Sequence, residues 1–124
     1  MSRLRIEGSG TQPVAWPAEY RERGHRSRIT YQTEEGPERL DLEWDGAALK
    51  RIVRSAPQIK MEFSRSGLTE GRIDTPAGQL RFTLVTHRLE GRRDGETLEL
   101  FLEYDLGWEG QPAERTQARL RLEP

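Results

Sequence analysis

The stretch Leu98-Glu99-Leu100-Phe101-Leu102-Glu103-Tyr104-Asp105-Leu106 decides the fold class of this chain. Starting at Leu98, every second side chain is apolar or aromatic, while the intervening positions carry carboxylates and one phenylalanine. Because the side chains of a β-strand point alternately to opposite faces, this period predicts a strand with one buried face and one wet face. Strands that leave one face in water are typical of antiparallel sheets.

The same alternation recurs along the chain and is punctuated by turn signals. Four further segments place apolar side chains on one face: Ile29 and Tyr31; Leu40, Leu42 and Trp44; Ile59, Met61 and Phe63; Leu80, Phe82 and Leu84. The dipeptides Asp45-Gly46 and Asp94-Gly95 suit hairpin turns between such segments, because glycine adopts positive φ without strain. A meander of amphipathic strands covers its edges by closing on itself. We therefore predict an all-β fold, an antiparallel up-and-down closed barrel of about eight strands, with residues 1–124 as a single domain.

Three segments do not fit this pattern clearly. Apolar residues fall at helical spacing in one of them: Ala48, Leu49, Ile52, Val53 and Ala56. Residues 112–122 contain many helix formers after a proline suited to a first turn, but Ala118, Leu120 and Leu122 alternate, and we favour a last strand. Within the N-terminal segment 1–28, the stretch from Gly8 to Gly24 is hardest to interpret, and a short helical turn over 18–23 would fit there.

Composition excludes several classes of site. The chain has no cysteine, which removes disulfides, thiolate metal sites and iron–sulfur clusters. The motifs of serine hydrolases, phosphate-binding loops and zinc proteases are missing, and His25 and His87 lie far apart and are expected to be solvated. No apolar run has the length of a membrane span. We expect a cytoplasmic protein that is not an enzyme, with no cofactor, metal site or membrane contact.

The order of several motifs resembles the YwiB-like family of small bacterial proteins of unknown function, whose fold is a calycin-type (lipocalin-like) β-barrel. The resemblance spans about three quarters of the chain, from Ile29 to Leu122. It is carried by Ile29-Thr30-Tyr31-Gln32-Thr33-Glu34-Glu35, Val53-Arg54-Ser55, Ile59-Lys60-Met61-Glu62-Phe63, Thr75-Pro76-Ala77-Gly78, Leu84-Val85-Thr86 and Tyr104-Asp105-Leu106. Two motifs depart from the family pattern, since the sequence has Ala56 where the family tends to have glycine and Ala77 where it tends to have tyrosine. The resemblance implies a fold and no reaction.

A barrel of this kind can be filled by side chains or can hold one small ligand. Inward aromatic residues with a few polar groups would form such a site, and the candidates are Tyr31, Glu34, Arg54, Thr75, Gly78, Thr86 and Tyr104. If Arg54 points into the barrel, its charge needs a partner, for which we expect Glu34, a cluster of backbone carbonyl groups or an anionic ligand. The alternative is that Arg54 lies at the barrel rim with its charged end in solvent and has only structural partners. The stretch 75–78 forms either a loop at the mouth or only a tight connection. The predicted function is non-catalytic binding of a small amphipathic or anionic molecule.

Two interaction roles compete with this prediction. The first is nucleic-acid binding by an arginine-rich barrel face with stacking aromatics, drawn from Arg21, Arg23, Arg26, Arg28, Lys50, Arg51, Arg54, Arg88, Arg92 and Arg93 with Tyr20, His25 and Tyr31. The net charge of -1 weakens it unless the bases gather on one side of the barrel. The second is a protein interaction or a homodimer through outward apolar residues such as Val85 and Phe101.

Overall fold

The computed structural model describes residues 2–8 and 12–124, which form ten β-strands and a closed barrel. Each strand pairs antiparallel with the next along the chain, and β1 also pairs with β10. The strands are β1 (Ser2–Gly8), β2 (Val14–Arg23), β3 (Arg26–Thr33), β4 (Gly36–Asp45), β5 (Ala48–Ser55), β6 (Ile59–Ser64), β7 (Leu68–Thr75), β8 (Gly78–Asp94), β9 (Thr97–Gly107) and β10 (Glu114–Glu123).

The predicted fold class is confirmed, but the strand number is ten rather than about eight. The additional strands come from segments whose sequence pattern was ambiguous. The N-terminal segment supplies β1 and β2, so the short helical turn over 18–23 was wrong; positions 1 and 9–11 of that segment lie outside the described residues. The strand favoured for 112–122 is confirmed as β10.

A β-bulge explains the helical spacing in the segment that forms β5. Trp44 pairs with Leu49 and Glu43 pairs with Arg51, so Lys50 is one residue more than the partner strand supplies. Such an extra residue shifts the alternation by one position. Leu49 and Ile52 therefore both face the core although they are three positions apart.

Side chains close one end of the barrel, which we call the closed end and which carries the turns at 24–25, 46–47 and 95–96. The indole Nε1 of buried Trp44 donates a hydrogen bond to Ser27 Oγ at 2.9 Å. The guanidinium of Arg93 lies 5.0 Å from the Trp44 ring and pairs with Glu22. Leu49 and Leu98 fill the space around them with almost no exposed surface.

Apolar side chains at the opposite end are less covered. This open end carries the turns at 34–35, 56–58 and 76–77 and the connection 108–113. Inward positions near it are only partly buried: Ile6, Trp16, Ile59, Ile73, Leu106 and Trp108. Val14 and Leu80, which continue two of the inward rows to the rim, are 45% and 52% exposed. The interior is thus tightly packed at one end and bordered by an accessible apolar rim at the other.

Two glycines let aromatic rings pack against the inner wall. A Cβ on Gly91 would lie 2.6 Å from the Trp44 ring, and a Cβ on Gly71 would overlap the Phe82 ring. Both glycines are needed for this close approach, because real side-chain atoms do not come so near each other. The bulky rings of Trp44 and Phe82 fill a barrel that is wider than one of eight strands.

We expect Gly71→Ala to lower the free energy of unfolding by about 1–3 kcal/mol, because the added methyl group displaces the Phe82 ring. Urea titration of the native protein and the variant measures this loss. In a Phe82→Leu background the same change should cost markedly less, since the shorter side chain leaves room. An equal cost in both backgrounds would show that Gly71 and Phe82 do not compete for space.

Candidate ligand site at the open end of the barrel

Arg54 places a charged group inside the barrel near the open end. Its Nε and Nη2 atoms both bind Glu38 Oε1, at 2.9 Å and 2.8 Å. Its Nη1 atom lies 3.8 Å from Met61 Sδ, and a thioether is a weak acceptor. The Tyr31 hydroxyl also forms hydrogen bonds with Arg54 and Glu38, so the guanidinium has two polar partners and its Nη1 atom lies beside the thioether.

The Arg54–Glu38 pair is asymmetric in its exposure. The Glu38 side chain is 10% exposed and the Arg54 side chain is 37% exposed. Burial lowers the pKa of the Arg54 guanidinium, but Glu38 opposes this effect, and the net shift is upward. Since a charge inside a protein is tolerated only when it is paired, Glu38 is what allows Arg54 to lie inside the barrel.

Two tyrosines flank this ion pair. Burial, followed by the negative charge of Glu38, raises the pKa of Tyr31 to about 12. Burial also raises the pKa of Tyr104, whose ring lies 4.8 Å from the ring of Phe63 and whose hydroxyl interacts with Thr116. Both phenols therefore stay protonated near neutral pH and can donate hydrogen bonds.

Thr86 adds an unsatisfied polar atom to the inner wall. It lies on β8 directly opposite Tyr104, next to a β-bulge at His87. Its Oγ1 atom is buried and has no hydrogen-bond partner among the described residues. Most buried hydroxyl groups find a partner, so an unpaired one marks a position where a ligand or water could supply it.

The structure brings together four of the seven predicted site residues: Tyr31, Arg54, Thr86 and Tyr104. Glu34 does not join them, because it is exposed in the turn between β3 and β4, and the expected pairing of Arg54 with Glu34 was wrong. The partner is Glu38, which sequence reasoning missed. Its signal was available, since Glu38 continues the inward alternation of Leu40 and Leu42 by one step.

Thr75 and Gly78 form a tight connection rather than a loop that closes over the site. Thr75 Oγ1 donates to the Gly78 carbonyl oxygen at 2.7 Å, and Gly78 has a φ of 127°. Only glycine adopts this backbone conformation readily. The turn joins β7 to β8 at the open end, so it borders the rim without reaching Arg54 through any described contact.

The histidines lie outside this cluster. His25 is exposed in the turn between β2 and β3, and His87 Nε2 is 2.8 Å from Asp105 Oδ2 on the outer surface. Hydrogen bonds from Arg115 and then His87 lower the pKa of Asp105 to about 2.

Within residues 2–8 and 12–124 no group of three or more His, Asp or Glu side chains is arranged to hold a metal ion. The same ranges contain no helix with the length and apolar character that a membrane crossing requires.

The outward positions of β9 and β10 carry cross-strand ion pairs, as their alternating charges indicate. Arg119 and Arg121 lie 3.4 Å and 3.9 Å from Glu99, and Arg115 pairs with Asp105 at 2.9 Å. Phe101 lies beneath the guanidinium groups of Arg88 and Arg119, at 5.1 Å and 5.2 Å. This phenylalanine is therefore covered by cations, while Val85 stays 37% exposed.

A closed up-and-down barrel with a filled end and an accessible end defines the class of calycin-like β-barrel proteins. The chain belongs to the family described as a domain of unknown function (DUF1934), which matches residues 5–120, and it is a YwiB-like protein. It is similar to the crystal structure of the ywiB protein from Bacillus subtilis, with 14% identity and a TM-score of 0.68. That match covers 98% of this chain and 87% of the other, and at this identity it shows the fold alone. No protein with a curated description matches this chain.

Thr86→Val is expected to raise the free energy of unfolding by about 1 kcal/mol, because it replaces a buried hydroxyl that lacks a partner. Chemical denaturation measures the change. The matched control is Thr83→Val on the same strand, where Oγ1 donates to the Gly107 carbonyl oxygen at 3.2 Å; this variant should gain no stability. A Thr86→Val protein less stable than the native one would show that the hydroxyl is already satisfied.

Tyr31 should make the barrel sensitive to high pH. Its pKa is about 10 when unfolded and about 12 when folded, so its contribution to stability is complete below pH 10 and is lost as the pH rises through 12. Across this window the free energy of unfolding should fall by about 1.4 kcal/mol per pH unit on account of this one group.

We expect Tyr31→Phe to remove that part of the pH dependence, which urea titrations at stepwise higher pH will measure. Tyr20→Phe, which removes a half-buried phenol at the closed end, is the control and should change the slope less. Tyrosinate absorbance in the folded protein provides a direct check. An unchanged slope in Tyr31→Phe would mean that Tyr31 ionises normally in the folded barrel.

Proposed function

We propose that this protein binds a small amphipathic molecule at the open end of the barrel, with the polar head group against Arg54 and the apolar part against the rim. The role is non-catalytic. The observation that carries the proposal is an inward guanidinium that stays 37% exposed, with its Nη1 atom beside a thioether sulfur, on the same inner wall as the Thr86 hydroxyl, which has no partner among the described residues. A donor in this position is suited to the oxygen of a carboxylate or another strongly accepting head group.

The charge of the site limits the head group it accepts. Glu38 already neutralises Arg54, so the pair presents one cation and one anion with no large net charge. A single carboxylate can accept hydrogen bonds from Nη1 and from the Thr86 hydroxyl, while a head group of several charges would be opposed by Glu38. An ammonium head group is repelled by the Arg54 guanidinium, and the carboxylate that would attract it, Glu38, is only 10% exposed and is already bound to Arg54.

The apolar surface fits the other half of such a molecule. The partly covered inward side chains at the open end surround the polar cluster: Ile6, Trp16, Ile59, Ile73, Leu106 and Trp108. Trp108 lies over Phe82 with ring centroids 5.0 Å apart, which joins the rim to the packed core. Small-molecule sites are mostly apolar with a few oriented polar contacts, and this end of the barrel has that composition.

A non-catalytic role is supported by the chemistry of the cluster. Reaction at a hydroxyl needs a base within hydrogen-bond distance, and the Thr86 hydroxyl has no such neighbour among the described residues. Both phenols are held in the protonated form by raised pKa values. These groups can orient and hold a ligand, which is what binding requires.

Calorimetric titration with dodecanoate, below its micelle concentration, tests the proposal. We expect the native protein to bind dodecanoate and to reject dodecylammonium. Arg54→Met should weaken binding by about tenfold or more, the effect of losing a hydrogen bond to a charged group. Thr86→Val should also weaken it while stabilising the fold, which separates a loss of ligand contact from damage to the barrel.

The matched control is Arg72→Met, which removes an exposed arginine from the outward face of β7 and should leave binding unchanged. Native mass spectrometry of protein purified from its own host should show a retained small molecule that Arg54→Met releases. Equal weakening by Arg72→Met and Arg54→Met, or binding of dodecylammonium as tight as that of dodecanoate, would contradict the proposal.

A further inference from the structure

The outward side chains of β2–β6 carry more bases than acids. We call this surface the basic face and define it by Arg21, Arg23, Arg26, Arg28, Arg39, Arg51 and Lys60. Five acidic side chains lie on outward positions of the same strands: Glu19, Asp41, Glu43, Asp45 and Glu62, the last of which pairs with Arg51. The chain as a whole has a net charge of -1, so this local excess is balanced elsewhere on the molecule.

Two arginine pairs face each other across β2 and β3. Arg21 is directly opposite Arg28, and Arg23 is directly opposite Arg26. Like charges at directly opposed positions destabilise a sheet. Single opposed pairs occur elsewhere, at Arg72 and Arg81 and at Arg5 and Arg121, but in the described ladders two such pairs lie side by side only on β2 and β3. A polyanion bound on this face would offset the repulsion that they concentrate there.

The acids of the basic face neutralise only part of it. Asp41 pairs with Arg28 at 2.6 Å and with Arg39 at 3.1 Å, and Glu43 pairs with Arg51 at 3.7 Å. Four bases of the face remain without an ion pair within the described part of the chain: Arg21, Arg23, Arg26 and Lys60. On β10, by contrast, the outward arginines 115, 119 and 121 each pair with an acid.

The shape of the basic face suits a long ligand. Two grooves, of about 1320 Å³ and about 760 Å³, cross it and share Arg21, Arg39 and Ser55 in their walls. Together they form a concave strip that extends from the open end of the barrel toward the closed end. A strip of this kind can follow a run of phosphates instead of enclosing a single one.

The side chains of this face also indicate which part of a nucleic acid it would contact. The aromatic residues of β2 and β3 face the interior, so Tyr20 and Tyr31 cannot stack on bases as the sequence had suggested. Arg54 and Arg93 likewise face inward and pair with acids. None of the described outward side chains of β2–β6 is aromatic, and stacking is what single-strand binders depend on.

We propose that the basic face binds the phosphodiester backbone of double-stranded nucleic acid, without selecting base sequence. Arg21, Arg23 and Arg26 make the phosphate contacts, and ligand binding at the open end is a separate property of the barrel. Backbone contacts by guanidinium groups supply affinity that does not depend on sequence and that falls steeply as salt rises.

Fluorescence anisotropy with a labelled duplex of mixed sequence tests this at salt concentrations from about 50 mM upward. The native protein should bind at low salt and release the duplex as salt rises. The variant Arg21→Gln/Arg23→Gln/Arg26→Gln should bind more weakly, and its slope of log K against log salt should be smaller by about 2 to 3, since three contacts are lost. Its melting temperature should equal or exceed that of the native protein, because the opposed arginine pairs are gone.

The matched control is Arg5→Gln/Arg65→Gln/Arg92→Gln, which removes the same number of exposed arginines elsewhere on the barrel. This control should bind the duplex like the native protein. Four results would overturn the proposal: no binding by the native protein at low salt, equal weakening in the two triple variants, tighter binding of a single strand than of the duplex, or displacement of the duplex by polyglutamate at equal charge.

Discussion

The structure depends on the hydrogen bonding of β1 to both β2 and β10, which closes the sheet. Closure gives every strand two partners and assigns each side chain either to the interior or to water. It also removes the exposed edges through which open sheets aggregate. The same assignment explains why Glu38 and Arg54 lie together, since each is the nearest opposite charge available to the other on inward positions of neighbouring strands.

The two ends of the barrel differ in how completely they are packed. A ten-stranded barrel is wider than an eight-stranded one, so aliphatic side chains alone do not fill it. At the closed end Trp44 lies against Gly91 and beneath Arg93, and side chains fill the interior there. At the open end several inward residues are polar or only partly covered, above buried side chains such as Phe82 and Met61. Apolar packing is therefore more complete at the closed end, and the charged pair lies where packing is less complete.

Much of this architecture could be predicted from the sequence, because alternation is a local signal. The pattern from Leu98 to Leu106 gave the orientation of β9, and the strand at 112–122 followed from Ala118, Leu120 and Leu122. The bulge at Lys50 could not be predicted, because the pairing of two strands creates it and its trace in the sequence imitates a helix. Within the site, alternation indicates which positions face inward, including the missed Glu38, but which inward residue meets Arg54 depends on the register between β4 and β5, which a single sequence does not display.

The pairing of β1 with β10 also bears on how the chain reaches its native state. Ile6 lies opposite Leu120, so the ladder that seals the cylinder joins residues from opposite ends of the fold. Hairpins between consecutive strands can form while the polypeptide emerges from the ribosome. The pairing of β1 with β10 cannot form until β10 has been synthesised. Until then one edge of β1 and one edge of the most recently formed strand have backbone groups without hydrogen-bond partners. Contacts of such long sequence separation are also slow to form. Protection of the nascent chain during that interval is thus a requirement that the topology itself imposes.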